Sequence, residues 1–151
     1  MEVSGAGKTV TTRRGLIAIA LVALPFPVLS SGDPLAAAIA EATGGRDSAE
    51  GGIALETPPL AENGGQVPVT VTVESPQTEA QHVRAIHLFA TRNPTPGIAT
   101  FRLSTAVAEA KVTTRIRLEE DQAIIAIAAL SDGTLRRATA AVKVATGGCI
   151  G

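Results

Sequence analysis

From residue 53 onward, apolar and polar residues alternate with a period of two. In QVPVTVTVES the valines Val67, Val69, Val71 and Val73 are separated by Pro68, Thr70 and Thr72, the pattern of a strand with one buried face and one wet face. Pro68 has no amide to donate, so it belongs at an edge or near the start of its strand. In KVTTRIRL, Val112, Thr114, Ile116 and Leu118 point one way, while Lys111, Thr113, Arg115 and Arg117 point the other. AIIAIAAL, Ala123 to Leu130, is apolar throughout, which predicts a strand covered on both sides. Asp132-Gly133 reads as a hairpin turn into LRRATAAVKVAT. IALETPPL, HVRAIHLFA and IATFRLS complete a set of seven candidate strands, several of them separated by the turn signals NGG, NPTPG and SDG. Seven short strands with little helix predict an all-β fold, an immunoglobulin-like antiparallel sandwich.

Before residue 53 the pattern differs. DPLAAAIAEATGG reads as a short helix, with Asp33 as N-cap, Pro34 at the first helical position and Gly44 just past the end. Its apolar face is expected to carry Leu35, Ala36, Ile39 and Ala40. RDSAEGG is polar and turn-rich and reads as a linker. Further upstream, Arg13 and Arg14 precede an uncharged apolar run from Gly15 to Leu29 that contains Pro25 and Pro27. That run is shorter than the about 20 residues a spanning helix needs, and its prolines disturb the last turn. It reads as a removable export signal, and the paired arginines suggest the twin-arginine type. Cleavage is expected near Ser30 and Ser31 or at Ala36 to Ala38. The expected layout is an export signal over 1–31, helix and linker over 32–52, a sandwich over 53–145 and a flexible C-terminal arm over 146–151.

Composition refines this picture. Apolar residues make up 45% of the 151 residues but aromatics only 2%, so the core must be built from Val, Ile, Leu and Ala. The net charge of −1, without long runs of one sign, recommends neither nucleic acid nor an anionic membrane as partner. SGAGKT, Ser4 to Thr9, resembles the end of a phosphate-binding loop. Glu2 stands where its first glycine belongs, and the stretch lies inside the export signal, so the match is discounted.

The chain's only cysteine, Cys149, stands near the C-terminus between Gly147-Gly148 and Ile150-Gly151. A lone cysteine is commonly a small buried hydrophobe. Here the flanking glycines offer nothing to bury it, and an exported free thiol has either an intermolecular partner or a task. Catalysis by the chain alone fits poorly, because a nucleophilic thiol needs a nearby base or positive charge, and no charged residue is closer in sequence than Lys143. His82 and His87, five apart on one strand, are expected on opposite faces and form neither a metal pair nor a dyad. Arg115, Arg117, Arg136 and Arg137 could line one face, as a solvated surface or an anion-attracting patch. A prenylation box needs three residues after the cysteine, and only two follow. No metal or cofactor site is evident. A thiol on a mobile arm suits covalent carriage of a group between partner enzymes.

The stretches LAENG, VESPQTEAQHVRAIHLFA and the terminal GGC, together with most of the chain between them, resemble the Y subunits of the Sox thiosulfate-oxidation carrier. The resemblance implies a periplasmic carrier that is not itself a catalyst, with sulfur intermediates held on Cys149. It also implies a heterodimer with a Z-type subunit. A heme-containing enzyme would conjugate thiosulfate to the cysteine, a hydrolase would release sulfate, and a sulfur dehydrogenase would act where present. The family arm commonly has glycine where this chain has Ile150, which adds bulk and stiffness beside the thiol. The competing expectation is a non-catalytic partner-binding module whose cysteine forms an intermolecular disulfide or has no role.

Overall fold

The computed structural model describes residues 32–145. The expected export signal, with Arg13 and Arg14, and the expected arm lie outside the described residues. The first element is helix α1, Pro34–Thr43, which begins and ends where the sequence indicates. Asp33 Oδ1 accepts from Leu35 N at 3.0 Å, and Gly44 takes the left-handed conformation (φ 66°) that closes the last turn. The inward face differs from the expectation. Leu35, Ala38, Ile39 and Ala42 pack inward, while Ala36 and Ala40 are exposed. Leu35 and Ile39 orient the helix, and the alanines on either flank are too alike to reveal which of them follow.

Among the described residues the strands are β1 (Ala49–Glu50), β2 (Ile53–Glu56), β3 (Leu60–Ala61), β4 (Val67–Val73), β5 (Val83–Ala90), β6 (Gly97–Arg102), β7 (Ala110–Ile116), β8 (Gln122–Leu130) and β9 (Leu135–Val144). IALETPPL, expected as one strand, is two. Pro58 and Pro59 cannot donate to a ladder, so the chain leaves β4 after Glu56 and joins β9 at Leu60. The segment read as a linker contributes β1.

The strands form a three-stranded sheet, β2-β4-β7, and a larger sheet ordered β1-β9-β8-β5-β6, with β3 also paired to β9. Pairing is antiparallel except where β1 and β3 run parallel to β9, two residues each. Pro68 sits beyond the reach of β2, whose pairing with β4 ends at Thr70, so β4 has a neighbour on one side only at that point. The Asp132-Gly133 hairpin is present, with Gly133 at φ 89°. Asp132 Oδ1 accepts from Thr134 N at 2.8 Å and Thr134 Oγ1 at 2.7 Å, which holds the carboxyl below its ordinary pKa.

Between the sheets lies an aliphatic layer. The valines of β4 meet Val83, Ile86 and Leu88 of β5 and Ile124, Ala126 and Ala128 of β8. A second layer lies on the outer face of the larger sheet, where α1 covers Phe89, Ile125, Ile127 and Leu135. This accounts for the unbroken apolar run of β8, which faces valines on one side and the helix on the other. Each fully buried Ile or Leu contributes about 1.5–3 kcal/mol, so the two branched-chain layers stabilise the fold with little aromatic help. Arg46 ties the helix to the sheet, with Nε on Thr43 O (2.9 Å) and an η nitrogen on Gly133 O (2.7 Å). Among the described residues no helix is long and apolar enough to cross a membrane.

Candidate functional site

Cys149 and its neighbours Gly147, Gly148, Ile150 and Gly151 lie outside the described residues. What the structure places is the end of β9, the last described segment before them. Three consecutive amides fix that point. Lys143 N donates to Pro59 O at 2.9 Å and Ala145 N to Ala61 O at 2.9 Å, both toward β3. Val144 N points to the other side, where β8 has already ended. There Asp121 Oδ1 accepts it at 2.7 Å, a carboxylate standing in for the missing ladder carbonyl.

Behind Asp121 a buried side chain gathers the surrounding loops. Gln122, only 7% exposed, accepts from Arg92 N at 2.9 Å through Oε1 and donates from Nε2 to Asn93 Oδ1 at 2.8 Å and Glu120 O at 3.3 Å. Asn93 Nδ2 in turn donates to Arg117 O at 2.9 Å. Thr91 Oγ1 accepts from Ala123 N at 3.1 Å. The β5–β6 loop, the β7–β8 loop and the end of β9 are thus joined by side chains rather than by a sheet. An Arg92–Glu120 pair at 3.5 Å spans the outside, where exposure leaves it little weight. The chain therefore departs from a braced platform. In the sequence Asn93 reads only as part of the NPTPG turn signal, and nothing there singles out Asp121 or Gln122; their folded neighbours give them a role.

The histidines differ from the expectation. His82 and His87 face the same side and line one surface depression with Arg84 and Arg102. The cause is a β-bulge between Val83 and Ala85, after which Val83 and Ile86, three apart, are both buried. The bulge is held by Gln77, which takes φ 50° and accepts from Val83 N at 2.8 Å through Oε1. His82 Nδ1 bonds Thr78 O at 3.1 Å, and His87 Nδ1 bonds Thr100 Oγ1 at 2.9 Å. Burial and the nearby Arg102 guanidinium lower the pKa of His87. Among the described residues no group of three or more His, Cys, Asp or Glu is placed to hold a metal.

The four arginines considered for a common face are dispersed. Arg115 belongs to the edge of the three-stranded sheet, whereas Arg136 and Arg137 are consecutive on β9 and point to opposite faces. Arg137 Nε lies 3.6 Å from Glu50 Oε1 on β1.

The family described as sulfur oxidation protein SoxY matches residues 39–149. Among solved structures, the sulfur carrier protein SoxY from Chlorobium limicola f thiosulfatophilum is similar at 30% identity and a TM-score of 0.63, over 76% of this chain and 98% of that one. A superoxide reductase (neelaredoxin) from Ignicoccus hospitalis is similar at 22% identity and a TM-score of 0.56, over 62% and 80%. A superoxide reductase from Nanoarchaeum equitans aligns at 16% identity and a TM-score of 0.54, over 64% and 100%. At those identities the reductases share the fold alone. A comparison with curated protein sequences finds no match. The family match takes in the whole sandwich, the braced platform and the cysteine beyond it: the chain belongs to the SoxY sulfur oxidation family.

Proposed function

We propose that the chain is a covalent carrier of sulfur intermediates, loaded on Cys149 and processed by partner enzymes. The observation that carries this reading is the extent of the family match, which runs from residue 39 to Cys149 itself. The platform supports it physically. With the chain fixed as far as Ala145, the four further residues to Cys149 reach about 14 Å when extended, far enough to enter a cleft in another protein. Gly147 and Gly148 add little bulk and widen the accessible backbone conformations.

The chemistry divides between carrier and partners. The Cys149 thiolate joins the sulfane sulfur of thiosulfate in a new S–S bond, and the two electrons released pass to a heme-containing conjugating enzyme. A hydrolase then adds water to the terminal sulfonate. Sulfate departs with that oxygen, and a persulfide remains on Cys149. A sulfur dehydrogenase oxidises that sulfane sulfur where such a partner exists. The chain supplies only the thiol and its reach, and needs no cofactor or metal of its own. On this reading residues 1–31 direct twin-arginine export, the mature chain works in the periplasm, and a Z-type subunit accompanies it as a heterodimer.

The deciding measurement is the intact mass of the chain recovered from cells grown on thiosulfate. Reducible additions of thiosulfate or sulfane sulfur, absent from Cys149→Ser, are expected. Unmodified protein throughout, with thiosulfate oxidation undiminished in Cys149→Ser, refutes carriage and leaves a partner-binding module.

A further inference from the structure

The helix on the outer face of the larger sheet makes its apolar contacts with β5, β8 and β9, while its backbone also comes close to β6, and the surface along that flank is hollowed. Two adjoining depressions there share Ala42, His87, Thr100 and Arg102 and so form one groove. Toward the β8–β9 turn it carries Arg46, Arg84 and Arg102 with His82 and His87, against Glu79. Toward Gly97 it carries Glu41 and the walls of Ala38, Phe89 and Ile98.

Charge in the first half is unbalanced. None of the three guanidinium groups has a carboxylate within ion-pairing distance among the described residues. Arg46 is committed to the carbonyls of Thr43 and Gly133. Arg84 and Arg102 are exposed, and their side chains make no hydrogen bond among the described residues. β6 has β5 on one side and no strand on the other among the described residues, so its outer edge presents unpaired backbone groups suited to an added strand.

We propose that this groove is a docking surface for a partner protein offering an extended acidic segment, its backbone beside the free edge of β6 and its carboxylates on Arg84 and Arg102. A free oxyanion fits less well, because the guanidinium groups come from three separate elements and that of Arg46 already serves two carbonyls. A second copy of the same groove would set arginine against arginine. The basic end lies beside the start of β9, a strand of ten residues, and so about 30 Å from the point where the chain leaves the body. That distance exceeds the about 14 Å that the four residues from Ala145 to Cys149 can span, which suits a lasting companion rather than an enzyme acting on the thiol. This surface does not depend on sulfur carriage, and its test does not involve Cys149.

The probe is a fluorescent peptide alternating Glu and Val, titrated into the mature chain and followed by anisotropy, with backbone amide shifts recorded on the wild-type protein. Expected are saturable binding that weakens with added salt, and shifts concentrated at Ile98, Thr100 and Arg102. Arg84→Glu combined with Arg102→Glu should weaken binding on the order of tenfold or more, while Arg115→Glu on the other sheet leaves it unchanged. The proposal is overturned if the peptide does not bind, if the shifts lie elsewhere, or if the double variant, still melting like wild type, binds equally well. Displacement by sulfate at matched ionic strength, without effect from chloride, would instead make the groove a free-oxyanion site and equally overturn it.

Discussion

Replacing Gln122 by alanine tests whether the platform at the end of β9 is braced as described. The substitution removes the acceptor of Arg92 N at 2.9 Å and the donor to Asn93 Oδ1 at 2.8 Å and Glu120 O at 3.3 Å. A buried group stranded in this way costs about 1–3 kcal/mol. Both losses occur where the bonded partners are only partly buried, so each falls at the low end, and the total is about 2–3 kcal/mol. For a domain of this size about 4 °C of melting temperature is lost per kcal/mol, giving a drop of about 8–12 °C. Thermal and urea melts of the mature chain measure the total, and hydrogen exchange at the Arg92 amide reports the local opening. Gln122→Glu keeps an acceptor for Arg92 N but cannot donate when ionised, and it adds a charge beside Glu120 and Asp121. It should be destabilised at neutral pH and recover as the pH falls and the new carboxyl is protonated. A Gln122→Ala variant within about 1 kcal/mol of wild type, with unchanged exchange at Arg92, would refute the reasoning.

Three further outcomes are expected. Asp121→Ala should cost about 1 kcal/mol, the worth of one exposed hydrogen bond to a charged acceptor, and raise hydrogen exchange at Val144 about fivefold while core amides are unaffected; unchanged exchange at Val144 counts against its anchoring role. Ile127→Ala, at a position with 0% exposure beneath α1, should lose about 2–5 kcal/mol in urea unfolding, and a loss under about 1 kcal/mol would mean that the helix is not seated there. Burial and the Arg102 charge lower the pKa of His87 from 6.5, so the unfolded chain takes up a proton at higher pH than the folded one. Stability should therefore fall as the pH drops through 6.5 and level off once the folded protein is also protonated; urea midpoints against pH should show this slope reduced in His87→Asn, and an equal slope in both proteins excludes His87 as its source.

Much of the sandwich was legible because its strands obey simple alternation. Val67 to Val73 and the segment around Val112 and Ile116 declare one inner face each, and the unbroken run of β8 announced two covered faces before the helix that covers one of them was placed. The Asp33 cap and the Asp132-Gly133 turn are local chemistry, and local chemistry survives folding. Elsewhere the outcome depended on contacts between distant residues. The bulge that puts His82 and His87 on one side is imposed by Gln77 bonding Val83 N, and nothing in HVRAIHLFA marks it. Asn93 read only as part of a turn signal and Gln122 carried no signal at all, since a bond across 29 positions of sequence exists only once the loops meet. Ala36 and Ala40 were assigned inward because alanine carries too little bulk to distinguish one flank of a helix from the other. Cys149 is a candidate by sequence position and glycine neighbours alone, and it lies outside the described residues.

The flanking of β9 by β8 on one edge and by β1 and β3 on the other has a mechanical consequence. Any pull applied at the C-terminal end of β9 runs along the axis of that strand. Hydrogen bonds on both edges then share that load in shear, instead of opening one after another as in a peeled hairpin. Of the two short parallel contacts, each too brief to add much resistance to heat, the one with β3 at Lys143 and Val144 braces the end where traction enters, and the one with β1 at Arg136 and Arg137 braces the strand's start.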